Sequence, residues 1–193
     1  MTDVPRSPVD FFESYVPAHI ARLGGVFAGR SSQGAIAFDV KTKGSWSLRL
    51  RAGAIEVEQG VAADALLRIT LEPADFEPVL VAGAERLGEE AGLERQLVAV
   101  RALVLEDDRV AMLREAKGSL GIRIAGASAE HYLTVSLGAE APTGPVDCEL
   151  GCALEDLFAL QSGAKNPFEL MMDGKVKITG NMQLAMVLGA ALG

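Results

Sequence analysis

Cysteine and histidine are scarce in this chain of 193 residues, which contains two of each. Cys148 and Cys152 are spaced i,i+4, which differs from the CxxC redox spacing, and one pair does not make a disulfide framework. We interpret both as small buried apolar residues. His19 and His131 are far apart, whereas a structural zinc site needs about four ligands in a recognisable pattern. The sequence therefore predicts neither a metal site nor a cofactor.

An excess of positive charge and long apolar runs are also lacking. There are 18 basic against 26 acidic residues, for a net charge of −8, which argues against a nucleic-acid partner because its phosphates would be repelled. No stretch reaches the roughly 18 uninterrupted apolar residues of a membrane-spanning helix, although 49% of the residues are hydrophobic. This apolar surplus must lie inside the fold or line a space within it. Because the N-terminal segment lacks the pattern of a signal peptide, we expect a cytoplasmic protein.

The first half combines helices with a run of strands. Ser7 and Pro8 form a good N-cap and first-position pair for a helix, which Pro17 should kink or shorten. From residue 34 to 71 the apolar period becomes two, which predicts the strands AIAFDV, SWSLRL, AIEVEQ and LRITL. We interpret them as an antiparallel meander with one face in solvent. Pro73 then opens a helix, followed by a strand, VRALVLED, and a helix, DDRVAMLREA.

The second half starts again with strands and ends with helices. The pattern predicts strands at LGIRIA, HYLTVSL, PVDCEL and KVKI. Helices are predicted from an apolar stripe at residues 154–160, from the cap Asn166 before Pro167, and in the segment MQLAMVLGAAL. Together the two halves indicate an α+β protein.

The two halves resemble each other. Four blocks align in the same order: GAIAFDV with GSLGIRI, WSLRL with LTVSL, LVAG with LQSG, and ALVLEDDRVAMLREA with VKITGNMQLAMVLGA. Preserved order across four blocks favours an internal repeat. The alternative is two unrelated halves with similar amphipathic patterns.

Residues 157–188, LFALQSGAKNPFELMMDGKVKITGNMQLAMVL, resemble the C-terminal signature of the sterol carrier protein type 2 family. That signature is a helix ending in glycine, a short proline-containing helix, the pattern G-K-(apolar)-K-I-x-G-(D/N), and an amphipathic helix. The first half resembles the N-terminal part of the same family through W-S-L-R-L at 46–50, G-x-I-x-V-x-x-G at 53–60, and Asp75-Phe76.

The chain differs from an ordinary family member because parts of this pattern occur in it twice. The simplest account is a tandem duplication in which each copy has partly decayed. We therefore predict an α+β fold in which a mainly antiparallel sheet is covered by helices, with pseudo-repeats at residues 1–117, including the N-terminal helix, and 118–193. Two small domains and one continuous sheet both fit this account. We favour repeats that pack together, because about 80 residues are marginal for independent stability.

The resemblance implies a non-catalytic lipid carrier. Members of the family enclose an apolar tunnel between the sheet and covering helices, with the C-terminal helix as part of the lid, and accept sterols, fatty acyl chains or acyl-CoA-like ligands. A methionine-rich wall suits ligands of variable shape, although methionines also fill irregular cores. The candidate ligand contacts are Phe158, Leu160, Phe168, Met171, Met172, Ile178, Met182, Leu184 and Met186.

Other functions are weighed against this one. Catalysis would need a nucleophile with a base, paired carboxylates or a metal, and we predict no catalytic residue. The main alternative is an interaction or scaffold module whose tunnel is filled by side chains. A third is an accessory protein that presents an isoprenoid or other lipid substrate to an enzyme. The expected partner is a small apolar ligand, with transient membrane contact during its exchange, and the sequence sets no oligomeric state.

Overall fold

The fold is built on one sheet of eight strands, seen in a computed structural model that describes residues 3–22, 29–89, 105–161, 164–165 and 167–192. The strand order is β3-β2-β1-β4-β6-β5-β7-β8. Five of the seven strand pairs are antiparallel and two are parallel. The predicted α+β fold with a mainly antiparallel sheet is confirmed. The strands are β1 (Ala35–Val40), β2 (Gly44–Arg51), β3 (Ala54–Gln59), β4 (Ala65–Leu71), β5 (Ser119–Ala125), β6 (Glu130–Leu137), β7 (Cys148–Ala153) and β8 (Lys177–Gly180).

Helices in the described residues precede, separate and follow these strands. Two of them, α1 and α2, consist of three successive segments whose middle segment is π-helical. Pro17 does not end α1, which continues to Arg22 after its π-helical turn. The helices are α1 (Pro8–Asp10, Phe11–Tyr15, Val16–Arg22), α2 (Pro73–Phe76, Glu77–Val81, Ala82–Glu89), α3 (Asp107–Glu115), α4 (Leu154–Gln161), α5 (Pro167–Met172) and α6 (Met182–Leu192).

The prediction of a four-stranded meander was wrong at its fourth strand. Strands β1, β2 and β3 pair antiparallel as expected, but β4 pairs parallel with β1. The segment between β3 and β4 crosses the sheet, where Val61 and Ala62 pack against Ala35, Ala37 and Ala65. Small side chains on this face leave room for the crossover.

Other boundaries differ by a few residues. Strand β7 begins at Cys148 and β8 at Lys177, both later than their patterns predicted. The predicted cap Asn166 and residues 100–104 of the predicted strand VRALVLED lie outside the described residues.

The two halves share a pairing pattern. Strand β1 pairs antiparallel with β2 and parallel with β4, and β5 pairs antiparallel with β6 and parallel with β7. Antiparallel pairing of β4 with β6 joins the halves into one sheet. The boundary predicted at residues 117 and 118 falls between α3 and β5.

One face of the sheet is apolar and carries the core. A row of side chains in register crosses five strands on this face: Phe38, Ile69, Val135, Leu120 and Cys148. The adjacent row, on the opposite face, is small or polar: Ala37, Arg68, Ser136 and Ser119. Each of the six helices contributes to a single core cluster, through Phe12, Phe76, Leu113, Leu157, Leu170 and Leu184. The core therefore runs through both halves.

Candidate functional site

Aromatic rings fill the core in the first half of the chain. The ring centroid of Phe12 lies 4.9 Å from that of Trp46 and 5.0 Å from that of Phe38. The ring of Phe11 lies 5.4 Å from that of Phe76. Rings at such separations are in favourable contact, so this part of the interior is closely packed.

The core in the second half is mainly aliphatic. Strands β5, β6 and β7 contribute buried side chains to it. The helices and the segment before β8 contribute Leu157, Leu170, Val176, Leu184 and Leu188. Half-buried apolar residues pack against them: Leu160, Met171, Ile178 and Ala185. Side chains of this kind adapt their shape more readily than rings do, methionine above all.

The start of α6 is fixed by the residues of the T-G-N motif. Gly180 has φ of 86°, and a Cβ there would lie 2.5 Å from the Asp147 carbonyl oxygen, so glycine is required. The Asn181 N–H donates to that carbonyl at 2.8 Å, and the Asn181 side-chain oxygen accepts from the Leu184 N–H at 3.2 Å. This N-cap precedes Leu184, which is buried in the core and whose Cδ2 would lie 3.0 Å from a Cβ added at Gly118.

Helix α4 lies close to α2 at a glycine. Gly83 of α2 is buried, and a Cβ added there would lie 3.4 Å from Cε1 of Phe158. The ring of Phe158 therefore packs over the α2 backbone and connects a helix of the first half with one of the second. The sequence contained no signal for this contact, because it depends on a residue without a side chain.

The structure divides the nine candidate ligand contacts into an interior and a surface group. Phe158, Leu160, Met171 and Ile178 are half-buried and Leu184 is buried. Phe168 lies on α5. By contrast, Met172 is 88% exposed, Met186 63% and Met182 44%, so these three methionines lie outside the core.

The exposed face of α6 is uncharged. The helix sequence, MQLAMVLGAAL, contains no ionisable residue, and its exposed positions are Met182, Gln183, Met186, Gly189 and Ala190. Lys175 and Lys177, which precede this helix, are exposed.

The ionisable groups of the core are not arranged as nucleophiles. Burial raises the pKa of the Cys152 thiol to about 11, with Asp156 adding to the effect, and burial also raises the pKa of Cys148. Nucleophilic thiols need the opposite shift. His131 Nδ1 lies 3.0 Å from Asp75 Oδ1, and this pair joins β6 to α2.

The described residues contain neither a cluster of metal-binding side chains nor a membrane-spanning helix. In the part of the chain that the structure describes, no three His, Cys, Asp or Glu side chains cluster as metal ligands would. Within the same ranges, no helix is long and apolar enough to cross a membrane.

Comparisons with known proteins point to one family. Residues 100–193 match the SCP-2 sterol transfer family. Sterol carrier protein 2 of Oryctolagus cuniculus is 52% identical over 42 residues, which cover 22% of this chain and 8% of the rabbit protein.

Among solved structures, sterol carrier protein 2 like 2 of Aedes aegypti has a TM-score of 0.37 at 17% identity, covering 57% of this chain and 97% of that one. The sterol carrier protein domain 2 of Helicoverpa armigera has a TM-score of 0.36 at 23% identity, covering 62% and 88%. Sterol carrier protein 2 of Aedes aegypti, determined in complex with palmitate, has a TM-score of 0.35 at 17% identity, covering 53% and 96%.

Proposed function

We propose, from the premise that residues 100–193 form a domain of the SCP-2 sterol transfer family, that this chain is a non-catalytic carrier of one apolar lipid. The ligand is a fatty acyl chain, an acyl-CoA-like molecule, a sterol or an isoprenoid. One observation carries the proposal: the family match covers the half of the chain whose core is aliphatic. Transfer of an acyl chain from water is worth up to about 0.8 kcal/mol per methylene, before the costs of association are subtracted.

The ligand contacts proposed within this core are the interior candidates. Phe158, Leu160, Met171, Ile178 and Leu184 come from α4, α5, β8 and α6, so a chain inserted between these elements would touch all of them. Phe168, on α5, is the sixth proposed contact. An internal tunnel is the arrangement that this proposal requires.

The exposed methionines are proposed to act in lipid exchange. Met172, Met182 and Met186 place exposed apolar side chains on α5 and α6, and α6 contains no ionisable residue, which suits brief contact with a membrane interface. The net charge of −8 provides no attraction to anionic lipids, so we expect this contact to be transient.

The first half is proposed to serve as a filled scaffold. Its aromatic rings occupy the interior, which favours the scaffold alternative for this half of the molecule. The shared pairing pattern of the two halves and the four aligned blocks support an origin by tandem duplication, with residues 1–117 and 118–193 as the two copies.

A cytoplasmic location is part of the proposal. Cys148 and Cys152 are free and buried, as suits a reducing compartment. Fractionation of cells that express the protein would test this assignment, and recovery outside the cytoplasmic fraction would contradict it.

Native mass spectrometry of the purified protein, before and after organic extraction, tests the proposed function. We expect a bound lipid of one copy per chain that extraction removes, and saturable uptake of NBD-labelled stearate by the extracted protein. A bare mass together with absence of uptake would overturn the carrier function and leave the filled scaffold, with a protein partner to be sought.

A pair of filling substitutions locates the ligand. Met171 and Leu80 are both half-buried and both pack against the core cluster, the former in the second half and the latter in the first. We expect Met171→Phe to reduce NBD-stearate uptake several-fold and Leu80→Phe to leave it unchanged. Equal effects of the two variants would place the ligand elsewhere.

A further inference from the structure

Methionine is more exposed in this protein than is usual for an apolar side chain. It is among the residues most often buried in folded proteins. Of the six methionines in the chain, four have exposed side chains: Met112, Met172, Met182 and Met186. Met172 is 88% exposed, whereas its neighbour Met171 packs against the core. The four exposed side chains are therefore open to small reagents in solution without any unfolding.

Two of these methionines give the exposed side of α6 its apolar character. Met182 and Met186 are four residues apart, so they lie on the same side of the helix. They are the only exposed large apolar side chains of residues 182–190, and the helix contains no ionisable residue. A chemical change at their two sulfur atoms would thus change the polarity of this whole side of α6.

Met112 lies in a charged setting instead. Its helix, α3, packs against α6, but five of the nine residues in its sequence, DDRVAMLRE, are ionisable. Oxidation of Met112 would therefore add little polarity to a surface that is already charged. Met112 provides an exposed methionine with which those of α5 and α6 can be compared.

We propose that Met172, Met182 and Met186 are oxidation sites through which a hydroperoxide controls the membrane contact of α5 and α6. Oxidation converts the flexible apolar side chain of methionine into a polar sulfoxide. A polar surface lacks the favourable transfer from water to the membrane interface that an apolar surface has. The sites themselves follow from exposure, and their effect on membrane contact rests on the proposed function.

The reaction needs a hydroperoxide, of which hydrogen peroxide is the simplest. The thioether sulfur donates an electron pair to one peroxide oxygen, and the S–O bond forms as the O–O bond breaks. The departing hydroxide takes the proton of the transferred oxygen and leaves as water, so that sulfur loses two electrons and the peroxide gains them. Methionine sulfoxide reductases return the thioether, with release of water and oxidation of two thiols to a disulfide.

Limited treatment of the full chain with hydrogen peroxide, followed by peptide mass spectrometry, tests the sites. We expect sulfoxide to form at Met172 and Met186 several-fold faster than at Met171, because a packed side chain reacts only after a local opening of the fold. Far-UV circular dichroism of the oxidised chain should match that of the untreated chain. Equal rates at Met171 and Met172, or oxidation only with loss of structure, would overturn the assignment.

Flotation with phosphatidylcholine vesicles tests the effect on membrane contact. We expect peroxide to lower the vesicle-bound fraction of the parent chain several-fold, and methionine sulfoxide reductases with dithiothreitol to restore it. The combined variant Met172→Leu, Met182→Leu and Met186→Leu should bind equally before and after peroxide, because leucine has no sulfur to oxidise. Met112→Leu is the matched control and should lose binding on oxidation as the parent does.

The outcomes separate this control from the proposed carrier function. Absence of a peroxide-dependent loss in the parent, or an equal loss in the combined variant, would overturn the control of membrane contact by oxidation. Flotation needs no lipid cargo, so a peroxide-dependent loss of vesicle binding in a chain that takes up no NBD-stearate would count against the carrier function alone. Uptake of NBD-stearate without peroxide-sensitive vesicle binding would overturn the control and leave the carrier function.

Discussion

Ser47 and Thr70 both lie in the sheet, and their hydroxyl groups differ in whether they have hydrogen-bond partners among the described residues. Ser47 is fully buried, and its Oγ donates to the Gly60 carbonyl and accepts from the Ala62 N–H, both at 2.8 Å. It thereby fixes the crossover between β3 and β4. Thr70 Oγ1 is buried without a hydrogen-bond partner among the described residues. A buried polar group without a partner costs stability.

The two hydroxyls should respond differently to removal. We expect Ser47→Ala to lower the free energy of unfolding by about 1–3 kcal/mol, since it leaves the Gly60 carbonyl and the Ala62 N–H without a partner. Thr70→Val should leave that free energy unchanged or raise it. Urea unfolding of both variants gives the comparison, and an equal loss in Thr70→Val would show that its hydroxyl is satisfied after all.

Cys152 should make stability fall at alkaline pH. Burial raises its thiol pKa from 9.0 to about 11, so the folded protein keeps a proton that the unfolded chain releases above about pH 9. The contribution of this thiol to the free energy of unfolding is fully present below about pH 9 and is lost as the pH rises toward 11. In Cys152→Ala the free energy of unfolding should decline less steeply from pH 9 to 11. Identical slopes in variant and parent would refute the assignment.

At the scale of elements, α1 is held to the sheet by its contacts with Trp46. Phe12 is 1% exposed and stacks on that indole. Glu13 Oε1 accepts from Trp46 Nε1 at 2.8 Å and from Gln59 Nε2 at 2.9 Å, and these bonds lower the pKa of Glu13. Trp46 of β2 thus takes part in both an apolar and a polar contact of α1.

Removal of the Phe12 ring should loosen this helix. We expect Phe12→Ala to lower the free energy of unfolding by about 3–5 kcal/mol and to shift the emission of Trp46, the single tryptophan of the chain, to longer wavelength. Glu13→Gln serves as the control, because Glu13 is exposed and the buried ring contact remains. Unchanged emission in Phe12→Ala would mean that α1 does not shield Trp46.

The strands of the first half illustrate what the sequence can predict about elements. An apolar period of two reports which residues share a face, and it identified β1, β2 and β3 as strands. Their antiparallel pairing was predicted from the short turns between them. The same period contains no information about partners, so the parallel pairing of β4 with β1 was missed. That pairing depends on the crossover over Ala35 and Ala37, which is a contact between segments distant in sequence.

The candidate site shows a second limit of the same kind. The family signature identified α4, α5, β8 and α6 as a unit. It did not orient α6, because the helix is uncharged on every face and periodicity needs a contrast between polar and apolar positions. Met182 and Met186 therefore could not be separated from Leu184 before the fold was known.

At the scale of the whole molecule, the seam between β4 and β6 decides whether the halves act as one body. Five register pairs cross it, from Leu67↔Leu137 to Leu71↔Leu133. Separation there would expose two strand edges and divide the core cluster on the apolar face, which contains buried residues of both halves. The halves should therefore stabilise each other.

Urea unfolding followed by probes in each half tests this coupling. Trp46 emission reports on the first half, and the reaction of Cys148 and Cys152 with a thiol reagent reports on the second, since both thiols are buried in the folded chain. Because one sheet and one core span both halves, we expect the two probes to give the same midpoint and the same slope, as in a two-state transition. Two separate midpoints would instead identify residues 1–117 and 118–193 as independent folding units, and the halves would then be joined by the β4–β6 seam without depending on it.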